Sequence, residues 1–144
     1  FTRDELARTN RLQAFMMESM IVDWDADSNS DRLTSSPRIE KLPRWAQVSP
    51  MYAGHVHDHE GQQFLLLGGN LYNVKPQVGA YDASFGVAID LEENQAQLDT
   101  GFQIFGEVRE IVSIRLGHEE DPNQSEILLV ARHNDSPVVF RVEP

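Results

Sequence analysis

The stretch GHVHDHEGQQFLLLGG, residues 54–69, sets histidines at positions 55, 57 and 59, then a glutamate, a polar pair, an apolar run and two glycines. Alternate residues of an extended strand point to one side. The histidine-rich end therefore has two readings. In the first, Tyr52–His57 and Phe64–Gly68 are strands joined by an Asp/His/Glu/Gly turn, and the imidazoles sit on a solvated rim. In the second, His57, His59 and Glu60 converge on a metal ion and serve a catalytic pocket. The first makes the chain a β-protein built from hairpins, and the second makes it an enzyme.

The flanking sequence favours hairpins. Arg38–Leu42 is a short strand bounded by Pro37 and Pro43. Ser84–Leu91 is another, followed by a polar turn at Glu92-Glu93-Asn94 and a short Ala96–Leu98 strand. Val108, Val112, Ile114 and Leu116 are expected on one face of a strand whose other face shows Arg109, Ser113 and Arg115. After a loop at His118–Gln124 come Glu126–Ala131 and Val138–Val142. Short strands at regular spacing with turn residues between them indicate an all-β sandwich, barrel or propeller. The order of polar turn, apolar strand and polar tail at QQFLLLGGN returns at SEILLVARHND, about one four-stranded unit later.

Before residue 23 the pattern changes. Thr2 and Glu5 have the spacing of a reciprocal helix cap, with Phe1 against Leu6 as a hydrophobic staple. Leu12, Phe15, Met16 and Met20 recur at helical spacing. The expectation is an N-terminal α-helical segment over 1–22 and antiparallel β-structure over 23–144. The methionines are read as core filling.

The chain has 144 residues, enough for a single core. Acids outnumber bases 23 to 12, for a net charge of −11. That disfavours nucleic acid, whose binding is dominated by Lys and Arg on phosphates, and a polybasic membrane contact. It suits cations, sugars and other proteins. With no cysteine there is no disulfide, thiolate metal site or cysteine nucleophile. No apolar run approaches the ~20 residues that span a bilayer, so membrane insertion is not expected. A start on Phe is what a processed or truncated product would show.

A family resemblance is carried by GGNLYNV (68–74), AYDASFG (80–86) and ARHND (131–135) together. The run from residue 42 onward, LPRWAQVSPMYAGHVHDHEGQQFLLLGGNLYNVKPQVGAYDASFG, then GFQIFGEVREI and LLVARHNDSPVVF, resembles the C-terminal blades of bacterial FG-GAP/VCBS proteins, the integrin-like repeat propellers. The resemblance implies about two β-propeller blades that cannot close a ring alone. Their partners would be the remaining blades or other chains, and a protein or carbohydrate ligand. It also implies a secreted or cell-envelope location, no enzymatic activity, and calcium turns of the form DxDGDGxxD.

Calcium takes six to eight hard oxygens from alternate positions of a tight loop. Aligned on GGN, the histidine stretch puts Val56, Asp58, Glu60 and Phe64 at the carboxylate positions. Two of these are apolar, so calcium is not expected there. IVDWDADSNSDRL is the better loop: Asp23, Asp25, Asp27, Asn29 and Asp31 supply alternate oxygens, with Ser28 where the bend glycine would stand. The rival reading is a cupin-like metalloprotein using His57, His59 and Glu60 for iron, manganese or zinc. Against it, the glutamate follows the second histidine directly, and neither His118 nor His133 stands in a matching context.

The Asn70–Ser84 connection is long, and long loops are commonly functional. Tyr72, Lys75 and Tyr81 give it the aromatic and polar side chains that meet sugars or protein partners. Asp82 is expected to cap a turn, and Arg132, Asn134 and Asp135 to close one. No Gly-x-Ser-x-Gly setting or phosphate loop supports catalysis. The chain thus reads as a non-catalytic binding or scaffolding module. The alternatives are the cupin-type enzyme and a structural protein assembling through exposed strand edges.

Overall fold

The computed structural model describes residues 2–9, 14, 16–23, 37–98, 100–117 and 125–142. The expected cap forms: Thr2 N–H donates to Glu5 Oε2 at 2.7 Å, and Glu5 N–H to Thr2 Oγ1 at 3.3 Å. The helix it starts, α1 (Arg3–Ala7), covers five residues. The helical segment expected over 1–22 is therefore corrected to a short turn. Met16 and Met17 are exposed, and Met20 opens strand β1 (Met20–Asp23). So short a helix is marginal in water without an apolar face to bury, and Arg3, Asp4, Glu5 and Ala7 are all exposed.

From Met20 the described chain is mostly antiparallel sheet. β1 pairs with β2 (Arg38–Lys41) in a two-stranded ribbon. Gln47, in a 3-10 turn at Arg44–Gln47, ties that ribbon down: its amide accepts from Ser19 N–H at 2.7 Å and donates to the carbonyls of Ser19 and Leu42. The middle sheet holds β3 (Met51–His59), β4 (Gln62–Gly69), β5 (Val87–Asp90) and β6 (Gln95–Gln97), in sequence order. The third holds β7 (Val108–Leu116), β8 (Ser125–Arg132) and β9 (Val138–Val142).

The opening stretch is a tight hairpin. His59 pairs with Gln62, so Glu60 and Gly61 alone make the turn, with φ of 53° and 84°. Two positive φ values give the turn twist that matches paired strands. Asp58 accepts the Gly61 N–H at 3.0 Å.

FLLL is unbroken by polar residues because β4 is covered on both faces. On one side Ala53, Leu66 and Ala88, with Phe64, pack on Val108, Ile111, Leu128, Val130 and Phe140 of the third sheet, joined by Phe102 and Ile104. On the other, Leu67, Val87 and Ile89 pack with Ala46, Leu42 and Met51. The paired glycines mark close approach. A Cβ on Gly68 would sit 2.6 Å from a Val108 methyl, and one on Gly69 would sit 2.0 Å from the Pro50 carbonyl oxygen.

The two larger sheets share a pairing pattern. In the middle sheet Met51 and Ala53 face Gly69 and Gly68, with Tyr52 as the extra residue of a β-bulge. In the third, Val108 and Glu110 face Arg132 and Ala131, with Arg109 as the extra residue. Counting on from the bulges, the pair His55–Leu66 is matched by Val112–Leu129. The bulge also corrects the expected face of β7. An extra residue inverts the alternation, so Val108 and Ile111 are buried while Val112, Ile114 and Leu116 turn outward and are exposed.

Candidate functional site

The two bulges lie side by side, and their extra residues meet. The Arg109 guanidinium carbon stands 5.1 Å from the centre of the Tyr52 ring, a cation–π arrangement. Arg109 also forms an ion pair with Glu107, whose side chain is fully buried. A carboxylate removed from water is costly unless it is paired and hydrogen-bonded. Glu107 meets both conditions: Arg109 donates to it, and Tyr72 N–H donates at 3.4 Å. The carboxylate thus fixes the arginine over the tyrosine and draws the start of the long loop to the same place.

That loop is held in one conformation. Asn70, buried with φ of 77°, uses its amide as a template: it donates to the carbonyls of Ser84 and Gly106, at 2.7 and 3.0 Å, and accepts Ser84 N–H at 3.0 Å. Leu71 and Tyr81 exchange both backbone hydrogen bonds, at 2.8 and 2.9 Å. Asp82, expected to cap this turn, is exposed and makes none of these bonds; Asn70 and Ser84 take the part. Arg132 closes the β8–β9 turn as expected, bonding to Asp135, Ser136 and Phe105.

Of the predicted ligand residues, Tyr72 joins Arg109 through Glu107, and Tyr81 joins Tyr72 through the Leu71 bridge. Tyr52, Tyr72 and Tyr81 each leave nearly half their surface to solvent, at 46%, 46% and 45%. Lys75 is exposed, and its carbonyl accepts from Val78 N–H within the loop. Sequence reasoning missed Tyr52, Glu107 and Arg109. Their one signal is an acid and a base two residues apart in FGEVREI, which points nowhere until the bulge is known.

The histidines lie on β3 itself and not on a wet turn, because Glu60 and Gly61 supply the whole turn. His55 and His57 are half-buried. The rings of His57 and His59 are 6.4 Å apart at the mouth of a cleft of about 550 Å³ between the middle and third sheets. Phe64, Leu66, Phe102 and Phe140 line it. Burial pushes the His57 pKa down, opposed in part by the negative charge of Glu126. Among the described residues no three His, Asp or Glu side chains gather closely enough to hold a metal ion.

Asp23, the last residue of β1, borders a second cleft of about 430 Å³ with Glu40, Asp58 and Glu92. Asp25, Asp27, Asn29 and Asp31, expected with it as calcium ligands, lie outside the described residues. Among the described residues no helix is long and apolar enough to cross a membrane. No family model, no curated protein and no solved structure matches this chain.

Proposed function

We propose that the chain is a non-catalytic binding and scaffolding module of the FG-GAP/VCBS integrin-like propeller type. On this reading it contributes about two blades and engages a protein or carbohydrate ligand at the edge bearing Tyr52, Arg109, Tyr72 and Tyr81. One observation carries the site: a fully buried carboxylate, Glu107, holds the Arg109 guanidinium against the Tyr52 face. Tyrosine and arginine dominate binding hot spots because they offer large contact area with a polar handle. Holding them in place before binding removes part of the ordering cost. The paired bulges and matched registers of the two sheets support the blade assignment. The secreted or cell-envelope location and the calcium at Asp23–Asp31 belong to the same reading and rest on the resemblance alone.

The test is an immobilised oligosaccharide array and a displayed-peptide library, each probed with the chain and with its Tyr52→Ala and Tyr72→Ala variants. Ligands of the native chain should bind at least about tenfold more weakly to the variants, a loss of about 1.4 kcal/mol. Ligands bound equally by all three proteins, or no ligand on either array, would contradict the proposal.

A second reading has its own observation. Among the described residues β9 is paired on one side only, whereas β5, its counterpart in the middle sheet, is paired on both. An open strand edge is a template for another chain, which is the basis of the assembly alternative. A stable monomer on size-exclusion chromatography would count against it.

A further inference from the structure

We infer that the cleft between the middle and third sheets binds a free, uncharged aromatic molecule of one or two rings that carries a single hydroxyl or N–H group. The inference is independent of any ligand at Tyr52 and of the repeat reading of the sheets.

The cleft interrupts a seam that is closed elsewhere. At one place the sheets touch, where a Cβ on Gly68 would meet the Val108 side chain at 2.6 Å. Toward the Glu60-Gly61 turn they part around a volume of about 550 Å³. Core side chains pack with few voids larger than a water molecule, and this volume departs from that rule. It falls within the ~300–1,000 Å³ of small-molecule sites, which are apolar with a few convergent polar groups. Its walls have that composition. Phe64, Leu66 and Ala88 come from the middle sheet, Leu128 and Phe140 from the third, and Phe102 from the connection between them. The Phe102 and Phe140 rings are tilted at 42° with centroids 5.3 Å apart. A third ring entering between the sheets extends that cluster in the offset or edge-on geometry aromatic rings prefer.

β3 supplies the polar groups. His57 is the register partner of Phe64, so its imidazole stands beside the phenyl wall, and His59 follows on the same face. A neutral imidazole offers one N–H donor and one acceptor nitrogen. Burial pushes the His57 pKa down, which keeps the ring neutral near pH 7, and the carboxylates acting on it are Glu126 and Asp58. An anion would meet those negative charges. Arg141 borders the cleft but turns its side chain to the opposite face of β9 from Phe140. Among the described residues no carboxylate lines the cleft to pair with a cation. An ion would therefore lose its water without a partner, which is costly. The order of the groups selects a free molecule. The imidazoles stand at the mouth and the phenyl rings lie within, so a ring enters first and its hydroxyl or N–H stays with the histidines. A tyrosine side chain on a partner's surface would enter in the opposite sense, with its hydroxyl at the apolar end.

Methyl spectra of the full chain are titrated with 1-naphthol and, in parallel, with naphthalene, 1-naphthoate and 1-naphthylmethylammonium. 1-Naphthol should shift the Leu66, Ala88 and Leu128 methyls saturably and bind at least about tenfold more tightly than either ion, a difference of about 1.4 kcal/mol. His57→Phe keeps a ring at the mouth and removes the hydrogen bonds. It should weaken 1-naphthol severalfold and leave naphthalene unchanged. No saturable shift at these methyls would overturn the proposal, as would equal binding of 1-naphthol and the two ions. So would a His57→Phe variant that binds 1-naphthol as the native chain does, or that loses both neutral compounds equally. Shifts of the same methyls on concentrating the chain alone would put a second copy in the cleft, and would also overturn it. Failure of the Tyr52 variants to change ligand binding would leave all of these outcomes untouched.

Discussion

The middle and third sheets share a bulge, a register and a strand order, yet one is covered on both faces and the other on one. Backbone pairing is nearly the same in the two, so burial accounts for the difference in what each sequence tolerates. In the middle sheet every residue of Val87–Asp90 is buried. In the third, β9 alternates between half-buried and exposed. The same extended backbone is thus buried at every position of β5, where Asp90 is admitted because Gln62 and the Glu92 and Glu93 N–H groups donate to its carboxylate, and half-buried at every second position of β9.

The largest effect expected from that contrast is at Ile89, which has no exposed surface. Ile89→Ala should cost about 3–5 kcal/mol in urea unfolding, because the site is walled in on all sides and cannot collapse. Arg109→Met should come next, at about 2–3 kcal/mol, since it strands the buried Glu107 charge; adding Glu107→Leu should recover part of the loss. Both variants share one readout, the unfolding midpoint at constant slope.

Gly68→Ala probes the contact between the sheets, because the new methyl would meet Val108 at 2.6 Å. Overpacking of this kind costs about 1–3 kcal/mol. The Gly68→Ala/Val108→Ala pair should cost less than the sum of the single changes, as expected for residues in contact. A fully additive double mutant would mean that the sheets do not touch there.

Acidification should have a smaller effect. Burial keeps the folded-state pKa of His57 below its ordinary value of 6.5. The unfolded chain then binds this proton at higher pH than the folded one, so stability is greatest above 6.5 and declines as the pH falls through that value. The melting temperature should drop as the pH is lowered from 7 to 5, and His57→Gln should flatten that part of the profile. Smallest of all, Val139→Ala should stay within about 0.5 kcal/mol of the native chain, as an exposed position does.

Much of this architecture could be read from residue pattern. β9 falls where Val138–Val142 was expected, and QQFLLLGGN and SEILLVARHND do mark equivalent strands of two like sheets. Other features depend on contacts that no local pattern contains. β5 begins at Val87 and not Ser84, because Ser84 is bound by the Asn70 side chain across the loop. Thr2 and Glu5 form their cap, but a cap starts a helix and does not lengthen it. The phase of β7 is not legible in the sequence, because a bulge leaves the alternation of residue types intact on paper while turning the strand over. Tyr52, Glu107 and Arg109 were hidden for the same reason. They are brought together by two bulges lying side by side, which pairing creates and sequence spacing does not show.

The most direct test of the stacked-sheet account is a methyl NOE map of the native chain. The account predicts cross-peaks linking Leu66 and Ala88 with Ile111, Leu128 and Val130, and none linking them with Val112, Leu129 or Val139. Cross-peaks from Leu66 to Leu129 or Val112 would mean that the third sheet presents its other face to the middle one, and the equivalence of the two sheets would be lost.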